Sequence, residues 1–352
     1  MQNTSKSLTA KNQVFDVTLV ELAQLLQVSP STISRALNRP DMVSAQMRER
    51  VLAAVNEHSY RPNGIARSLR KGETQTVGLV VSDLQNPFYS GIAKAIENRL
   101  SAAAFSCIIC DASESQGKEQ RALQLMGELR VSGIIHGFSG SGSDELERLG
   151  LDGIPIVEID RASGMRGTDT VLLDNVTGAR AAVEHLICLG HTSIGMISGP
   201  PRLTTGAGRL EGYTQALESA GIKPNTSLIA HGDFREESGR AAAHKLLAES
   251  PHLTALFIAN NEMAAGALSA VQELGLTIPH DLSLVAFDDV RWARYVNPPL
   301  TVVAQPLKEM GHAAAELLLQ RLAGRTSTIS RVFQPSLVVR RSTGPPNGSA
   351  QP

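Results

Sequence analysis

Residues 17–38 read VTLVELAQLLQVSPSTISRALN, and this stretch narrows the possible folds more than any other. Leu19, Leu22 and Leu26 recur at helical spacing and share one face of a first helix. A tight turn is expected at Gln27-Val28. Ser29 is placed to cap a second helix, with Pro30 at its first position, where the missing N–H costs nothing. Ile33 and Leu37 bury that helix against the first and leave Ser31, Thr32, Ser34 and Arg35 outward. Ser44 begins a third helix to about His58, with Val51, Leu52 and Val55 inward. Two short helices, the second showing hydroxyls and an Arg, make a helix-turn-helix, whose second helix can enter the DNA major groove.

The charge distribution agrees. Net charge is −1, but residues 1–72 hold 10 basic and 5 acidic side chains, and the remainder 23 and 29. A head of +5 on a body of −6 suits a chain with a DNA end and a non-DNA end. No run of about 18 apolar residues occurs, so no membrane span is expected. Residues 1–15 are polar and read as a disordered leader without a signal core. The three cysteines fit a reducing cytosol, and a cytoplasmic location is expected. Cys107 and Cys110 have redox-motif spacing but lie in the strand-like run FSCIICD, so both read as core thiols. The nine His residues show no metal-ligand spacing, and neither a metal nor a cofactor is expected.

From Thr76 onward strands and helices alternate. Strand-like runs are TVGLVV (76–81), SCIIC (106–110), GIIHGF (133–138), IPIVEI (154–159), SIGMIS (193–198), ALFIA (255–259) and LSLVAF (282–287). Apolar strands separated by helices mean parallel sheets covered on both faces. The fold class is therefore α/β, an all-α head followed by two doubly wound lobes. The expected domains are a head over 16–62, a linker over 63–72, a core over 73–340 and a disordered tail over 341–352. Within the core, one lobe takes about 73–173 plus 304–339 and the other about 174–303. Ligands bind such sheets at the C-terminal strand ends, in the cleft between lobes. GFSGSGSDE (137–145) lacks the spacing of a phosphate loop and reads as a flexible surface loop.

Taken in order, VSPSTISRALN, YRPNGIARSL, NPFY, EIDR, LLDN, GH, SGP, RLEGY, FIANNEMAAGAL, LVAFDD and PPLTVV resemble the LacI family of bacterial transcription regulators. The resemblance runs from Val17 to about Val339. It implies a homodimeric repressor on a pseudo-palindromic operator, under allosteric control by a small effector, and lobes of the periplasmic sugar-binding type. It places Pro30 and Ser31 at the positions that set operator preference. Thr32 and Arg35 join them as base-edge candidates, since Arg can fork onto guanine. Thr18 and Ser34 fit capping or phosphate contact, and Asn38 the end of the helix or a phosphate. Gln27 stands where the family usually has a turn Gly. Tyr60 is expected to pack on the head and to bond a DNA phosphate through its hydroxyl. The resemblance further implies that Asn63–Arg70, capped by Asn63, folds as a hinge helix when two copies pair in the minor groove. Ala66 would stand at the close helix contact and Leu69 would wedge between base pairs.

At the effector end, Phe88 and Tyr89 offer a ring face. Asp160, Arg161, Arg209, Asn260 and Asp288 lie at strand ends or helix starts, at positions that commonly face ligand in the family. Asp160-Arg161 could equally be an internal ion pair, and Phe88 core packing. Asn261 stands where many members have Asp. Charged forks beside an apolar platform suit a sugar or sugar acid; a purine stacked on Phe88 and Tyr89 is the alternative ligand. The rival class is an enzyme or a transport-type carrier. No phosphate loop, activated nucleophile or signal peptide supports it.

Overall fold

The computed structural model of the chain describes residues 17–58, 60, 74–140, 148–149, 151 and 153–347. They divide into two compact units, one ending at Thr74 and the other beginning at Gln75.

The first unit holds α1 (Leu19–Leu25), α2 (Pro30–Asn38) and α3 (Ala45–Glu57). Each helix starts on a hydroxyl cap that accepts from the N–H three residues on: Thr18 from Glu21, Ser29 from Thr32 and Ser44 from Met47. Leu22, Ala23, Ile33, Ala36, Val51, Ala54 and Tyr60 form its core. Leu52 departs from expectation and stands 40% exposed. One residue turns a helix by about 100°, so Val51 and Ala54, three apart, share the inner face and Leu52 leaves it. The turn holds Gln27 at φ +53, a left-handed conformation that costs a residue with a Cβ roughly 1–2 kcal/mol.

The second unit contains two six-stranded sheets. The first is built from β1 (Thr76–Val81), β2 (Ser106–Asp111), β3 (Gly133–His136), β4 (Ile156–Ile159), β5 (Asp169–Leu173) and β11 (Ser330–Phe333), in the order β11-β5-β4-β3-β1-β2. All its pairings are parallel. The second has β6 (Ile194–Ser198), β7 (Ile229–His231), β8 (Ala255–Ile258), β9 (Ser283–Phe287), β10 (Thr301–Ala304) and β12 (Ser336–Val338), in the order β12-β10-β9-β8-β6-β7. Only β12 runs antiparallel there, against β10.

The connecting helices are α4 (Pro87–Ala102), α5 (Gln116–Glu128), α6 (Asn175–Cys188), α7 (Thr204–Ser219), α8 (Glu236–Glu249), α9 (Asn261–Glu273) and α10 (Leu307–Leu322). In α4, Asn86 accepts the Phe88 N–H and Pro87 takes the first position, while Phe88, Ile92, Ile96 and Leu100 form the buried stripe.

The lobe boundaries differ from the sequence reading. α10 and β11 do return to the first lobe, but β12 crosses back and pairs with β10 in the second. The chain after Val339 is not a loose tail as far as Asn347. Ser342 is fully buried, donating to the Leu284 carbonyl at 2.6 Å and accepting the Thr301 N–H at 2.8 Å. The front of the Gly-rich loop is not at the surface either, because Phe138 and Ser139 are buried. Cys107 and Cys110 are half-buried on the edge strand β2, each packed against a hydrophobic core cluster, and burial lifts the Cys107 thiol to about 11. Among the described residues there is no metal-ligating cluster and no helix long and apolar enough to cross a membrane.

Candidate functional site

The second helix of the head carries one candidate site. Pro30 sits at its first position with Pro30, Ser31 and Arg35 exposed and Thr32 and Ser34 half-buried. The Ser29 hydroxyl lies 2.7 Å from that of Ser31 and 2.9 Å from that of Thr32. Three hydroxyls thus cluster at a helix N-terminus, whose dipole favours anions such as phosphate, and Arg35 stands out one turn further. Thr18 is consumed by a capping box: its hydroxyl accepts the Glu21 N–H and the Glu21 carboxylate accepts the Thr18 N–H at 2.7 Å. Tyr60 is buried in the head core, as expected. Of Asn38 only the backbone is described; it ends α2. Asn63, Ala66 and Leu69 lie outside the described residues.

The other candidate site is the cleft of the second unit. Phe88, Tyr89, Asp160, Arg161, Arg209, Asn260 and Asp288 all line one cavity there, together with Asn86, Glu114, Thr205, Phe234 and Gln305. Its free volume is about 20 Å³, the room of a single water. All seven sequence candidates are buried.

On the first lobe, Arg161 makes a bidentate pair with Glu114, both bonds 2.7 Å, and donates to the Phe138 carbonyl at 3.2 Å. Asp160 lies 3.4 Å from the Arg161 Nε, and its Oδ2 accepts the Tyr89 hydroxyl at 2.8 Å. Burial drives the Tyr89 phenol well above its ordinary pKa, which keeps it a neutral donor. The expected Asp160-Arg161 pair therefore exists, but Glu114 is the stronger partner of Arg161.

On the second lobe, Arg209 rises from α7, with Nε donating to the side-chain Oδ1 of Asn175 at 2.8 Å and Nη1 to the backbone carbonyl of Ala259. Its guanidinium lies 3.8 Å from the Phe287 ring centroid. Asp288 accepts from the Gln305 amide at 2.6 Å and from the Asn261 N–H at 3.4 Å. Burial raises the Asp288 pKa against the pull of Arg209, and burial lowers that of Arg209 against the pull of Asp288. Asn260 is a helix cap: its carbonyl accepts the Met263 N–H and its amide donates to the Phe234 carbonyl, both at 3.0 Å. Both ends of its side chain are thus engaged by the protein.

Three buried polar atoms of the lining residues have no partner among the described residues: Asp160 Oδ1, Thr205 Oγ1 and Gln305 Oε1. Buried polar groups are ordinarily paired, so these mark where a ligand hydroxyl can bind. The sequence reading missed Glu114, Thr205, Phe234 and Gln305. NPFY held the signal for Asn86; the others sit in connecting segments whose approach depends on the tertiary fold.

Residues 18–63 match the family described as bacterial regulatory proteins, lacI family, and residues 183–343 the periplasmic binding protein-like domain. The HTH-type transcriptional regulator DegA of Bacillus subtilis (strain 168) is 37% identical over 94% of this chain and 99% of its own. A solved complex of the transcriptional regulator CelR with cellobiose is 34% identical, with TM-score 0.71, covering 92% of this chain and 99% of that one. The lac repressor dimer bound to operator and the anti-inducer ONPF is 29% identical, with TM-score 0.83, covering 94% of this chain and 100% of that one. With a capped recognition helix in its head and a polar cleft between its lobes, the chain belongs to the lacI family of bacterial regulatory proteins and is a DNA-binding transcriptional regulator, not an enzyme.

Proposed function

We propose that this chain is a homodimeric repressor whose hold on a pseudo-palindromic operator is set by a neutral sugar bound between its lobes. The unpartnered buried atoms of the cleft carry this reading. Asp160 Oδ1 and Gln305 Oε1 can only accept, and the Thr205 hydroxyl can do either, so the complementary ligand is rich in hydroxyl groups. Arg209 and Asp288 supply a fork and an acceptor on the facing lobe.

Charge favours a neutral sugar over a sugar acid. Glu114, Asp160 and Asp288 outnumber Arg161 and Arg209 among the lining residues, and Glu114 already occupies the Arg161 fork. The purine alternative is disfavoured by the rings. Phe88 and Tyr89 meet edge to face at 81° and offer no shared flat platform. Arg161 lies 5.9 Å from the Tyr89 centroid and 5.0 Å from that of Phe234, so a guanidinium rather than a base already faces both rings. Two relatives support the coarse picture, one in complex with cellobiose and one bound to operator as a dimer.

In this reading Pro30, Ser31, Thr32 and Arg35 face base edges and Ser34 and Asn38 the phosphates, while Asn63, Ala66 and Leu69 serve the hinge. Effector and operator then weaken each other by the same factor. Thermal unfolding against pentoses, hexoses, sugar acids and purines tests the effector class. A ligand at 100 times its dissociation constant adds about 2.7 kcal/mol, enough for a shift of a few degrees. Stabilisation by a neutral sugar supports the proposal; stabilisation by purines alone rejects it. Leu69→Ala is expected to weaken operator binding and leave effector binding intact.

A further inference from the structure

Three ionisable side chains that do not line the cleft are buried in the first lobe. Glu119 of α5, His136 of β3 and Glu158 of β4 are each no more than 1% exposed. His136 and Glu158 stand opposite each other in the β3–β4 register. They alternate with Ile135, Val157 and Ile159 of the main core, so they face the small core that holds Leu123, Met126 and Ile134. Ionisable groups in such surroundings are costly unless each is paired.

Their partners are the segments that leave the two strands. Glu119 Oε1 lies 2.7 Å from His136 Nε2 and accepts the Ser139 N–H, also at 2.7 Å. Glu158 accepts the Ser163 N–H at 3.1 Å and the Ser163 hydroxyl. Burial raises the Glu158 pKa and Glu119 adds to the rise, while Ser163 and His136 oppose it. Asp160 and Arg161 lie between Glu158 and Ser163, so the cleft-facing pair is tied down on both sides.

One peptide joins the buried pair to the cleft. The Ser139 N–H and the Phe138 carbonyl belong to the same trans peptide unit and so point in opposite directions. The N–H goes to Glu119, and the carbonyl accepts from Arg161 Nη1 at 3.2 Å. A carboxylate on the N–H polarises the unit and makes its carbonyl a stronger acceptor. Arg161 is therefore held by Glu114 directly and by Glu119 through one peptide.

We propose that Glu119 and His136 are positioning residues for Arg161. His136 aims the Glu119 carboxylate, the carboxylate anchors the Phe138–Ser139 peptide, and the peptide fixes the guanidinium in the cleft. Glu158 holds the far end of the Arg161 loop through Ser163. The inference rests on the reading that Arg161 faces the effector, but the coupling exists in the chain alone.

The test is hydrogen exchange and thermal unfolding of the full-length chain with no ligand added. Glu119→Gln keeps the shape and an acceptor but removes the charge; Glu119→Met removes the acceptor. Amide exchange in residues 137–140 and 160–163 is expected to quicken about tenfold in Glu119→Gln, the difference between a charge-assisted and a neutral bond, and further in Glu119→Met. Residues 260–263 of the other lobe are expected to exchange unchanged. In a double-mutant cycle, Glu119→Gln and Arg161→Lys are expected to couple, the double variant losing less melting temperature than the sum of the two single losses. Arg321→Lys, beside Asp169 where β5 begins at the opposite end of the same sheet, is expected to add to Glu119→Gln without coupling. Additive losses for Glu119 and Arg161, or exchange that quickens in 137–140 but not in 160–163, overturns the inference and leaves the sugar reading untouched. Where Glu119→Met fails to fold, the Glu119→Gln results alone decide.

Discussion

Asp160 and Asp288 hold the same place in the two lobes. Each directly follows a central strand, β4 or β9, and each has left-handed φ, +70 and +78. Each donates its N–H to a carbonyl of the next strand in the sheet, Asp160 to Val171 at 2.9 Å and Asp288 to Val303 at 2.8 Å. The kink turns both carboxylates out of the sheet and into the same cleft. Asn and Asp tolerate this conformation better than other residues with a Cβ, so the backbone selects the same residue type that the proposed effector site uses.

That geometry separates two substitutions. Burial disfavours the Asp288 charge, so Asp288→Asn removes an unfavourable charge while suiting the backbone. It is expected to melt at or above the temperature of the unsubstituted chain and to lose effector binding. Asp288→Ala pays a left-handed cost of about 1–2 kcal/mol and is expected to melt a few degrees below Asp288→Asn. Thermal unfolding without ligand, followed by titration, reads both. Equal melting of the two variants would reject the backbone argument.

The raised pKa of Asp288 also gives effector binding a pH dependence. The carboxylate is the better acceptor, and protonation removes its charge. Because the folded-state pKa lies above the ordinary 3.8, protonation begins at a higher pH than in an exposed Asp. Affinity is therefore expected to fall as pH drops from neutrality through the weakly acid range. Glu262 near the cleft shifts in the same direction through burial, with Asp83 and Glu236 adding to it. Glu262→Gln is expected to retain the fall, and Asp288→Asn to flatten it in whatever binding persists.

On the recognition helix, Arg35 is exposed and Thr18 is locked in its cap, so their substitutions should fail differently. Arg35→Ala is expected to weaken operator binding by about 1–3 kcal/mol with the same unfolding curve. Thr18→Ala loses a capping box of about 1 kcal/mol and is expected to loosen α1. Gel-shift affinity measured with hydrogen exchange in α1 distinguishes them. An unchanged operator affinity in Arg35→Ala would remove that residue from base reading.

The head was legible because its caps and apolar spacing are local: Ser29-Pro30 marks a helix start whatever the tertiary context. Even there Leu52 was placed inward, since an apolar residue beside Val51 resembles core until the helical angle is counted. In the cleft, Asp160 and Asp288 could be found because each ends a strongly apolar strand. Glu114 and Phe234 could not: both take left-handed φ in loops, and no spacing rule foretells that Glu114 meets Arg161 across 47 residues. Gln305 follows β10 in a crossover whose course depends on both lobes. Asn260, expected to face the ligand from its position after ALFIA, lines the cavity and also caps the start of α9.

The end of the chain shows how polar composition misleads. RRSTGPPN has no apolar periodicity, yet Leu284 donates its N–H to the Ser342 carbonyl at 2.8 Å, and Gly344 both donates to and accepts from the Ser283 hydroxyl, at 3.0 and 3.1 Å. His191 fastens the same segment: Nε2 donates to the Gly344 carbonyl at 2.8 Å, and Nδ1 lies 2.9 Å from the Thr254 hydroxyl. Burial lowers the His191 pKa below 6.5 and so favours the neutral ring. The unfolded chain therefore takes up the proton first. Stability from this site is complete above pH 6.5 and declines as pH falls below it, until the folded ring also titrates. Ending the chain after Arg341 is expected to cost about 2–4 kcal/mol, from a few lost hydrogen bonds of roughly 1 kcal/mol each. It is also expected to expose His191 and so to flatten the decline below pH 6.5. Denaturant unfolding of the full and shortened chains at neutral and weakly acid pH measures both effects. A shortened chain with undiminished stability would mean that these contacts hold the segment to the lobe without holding the lobe together.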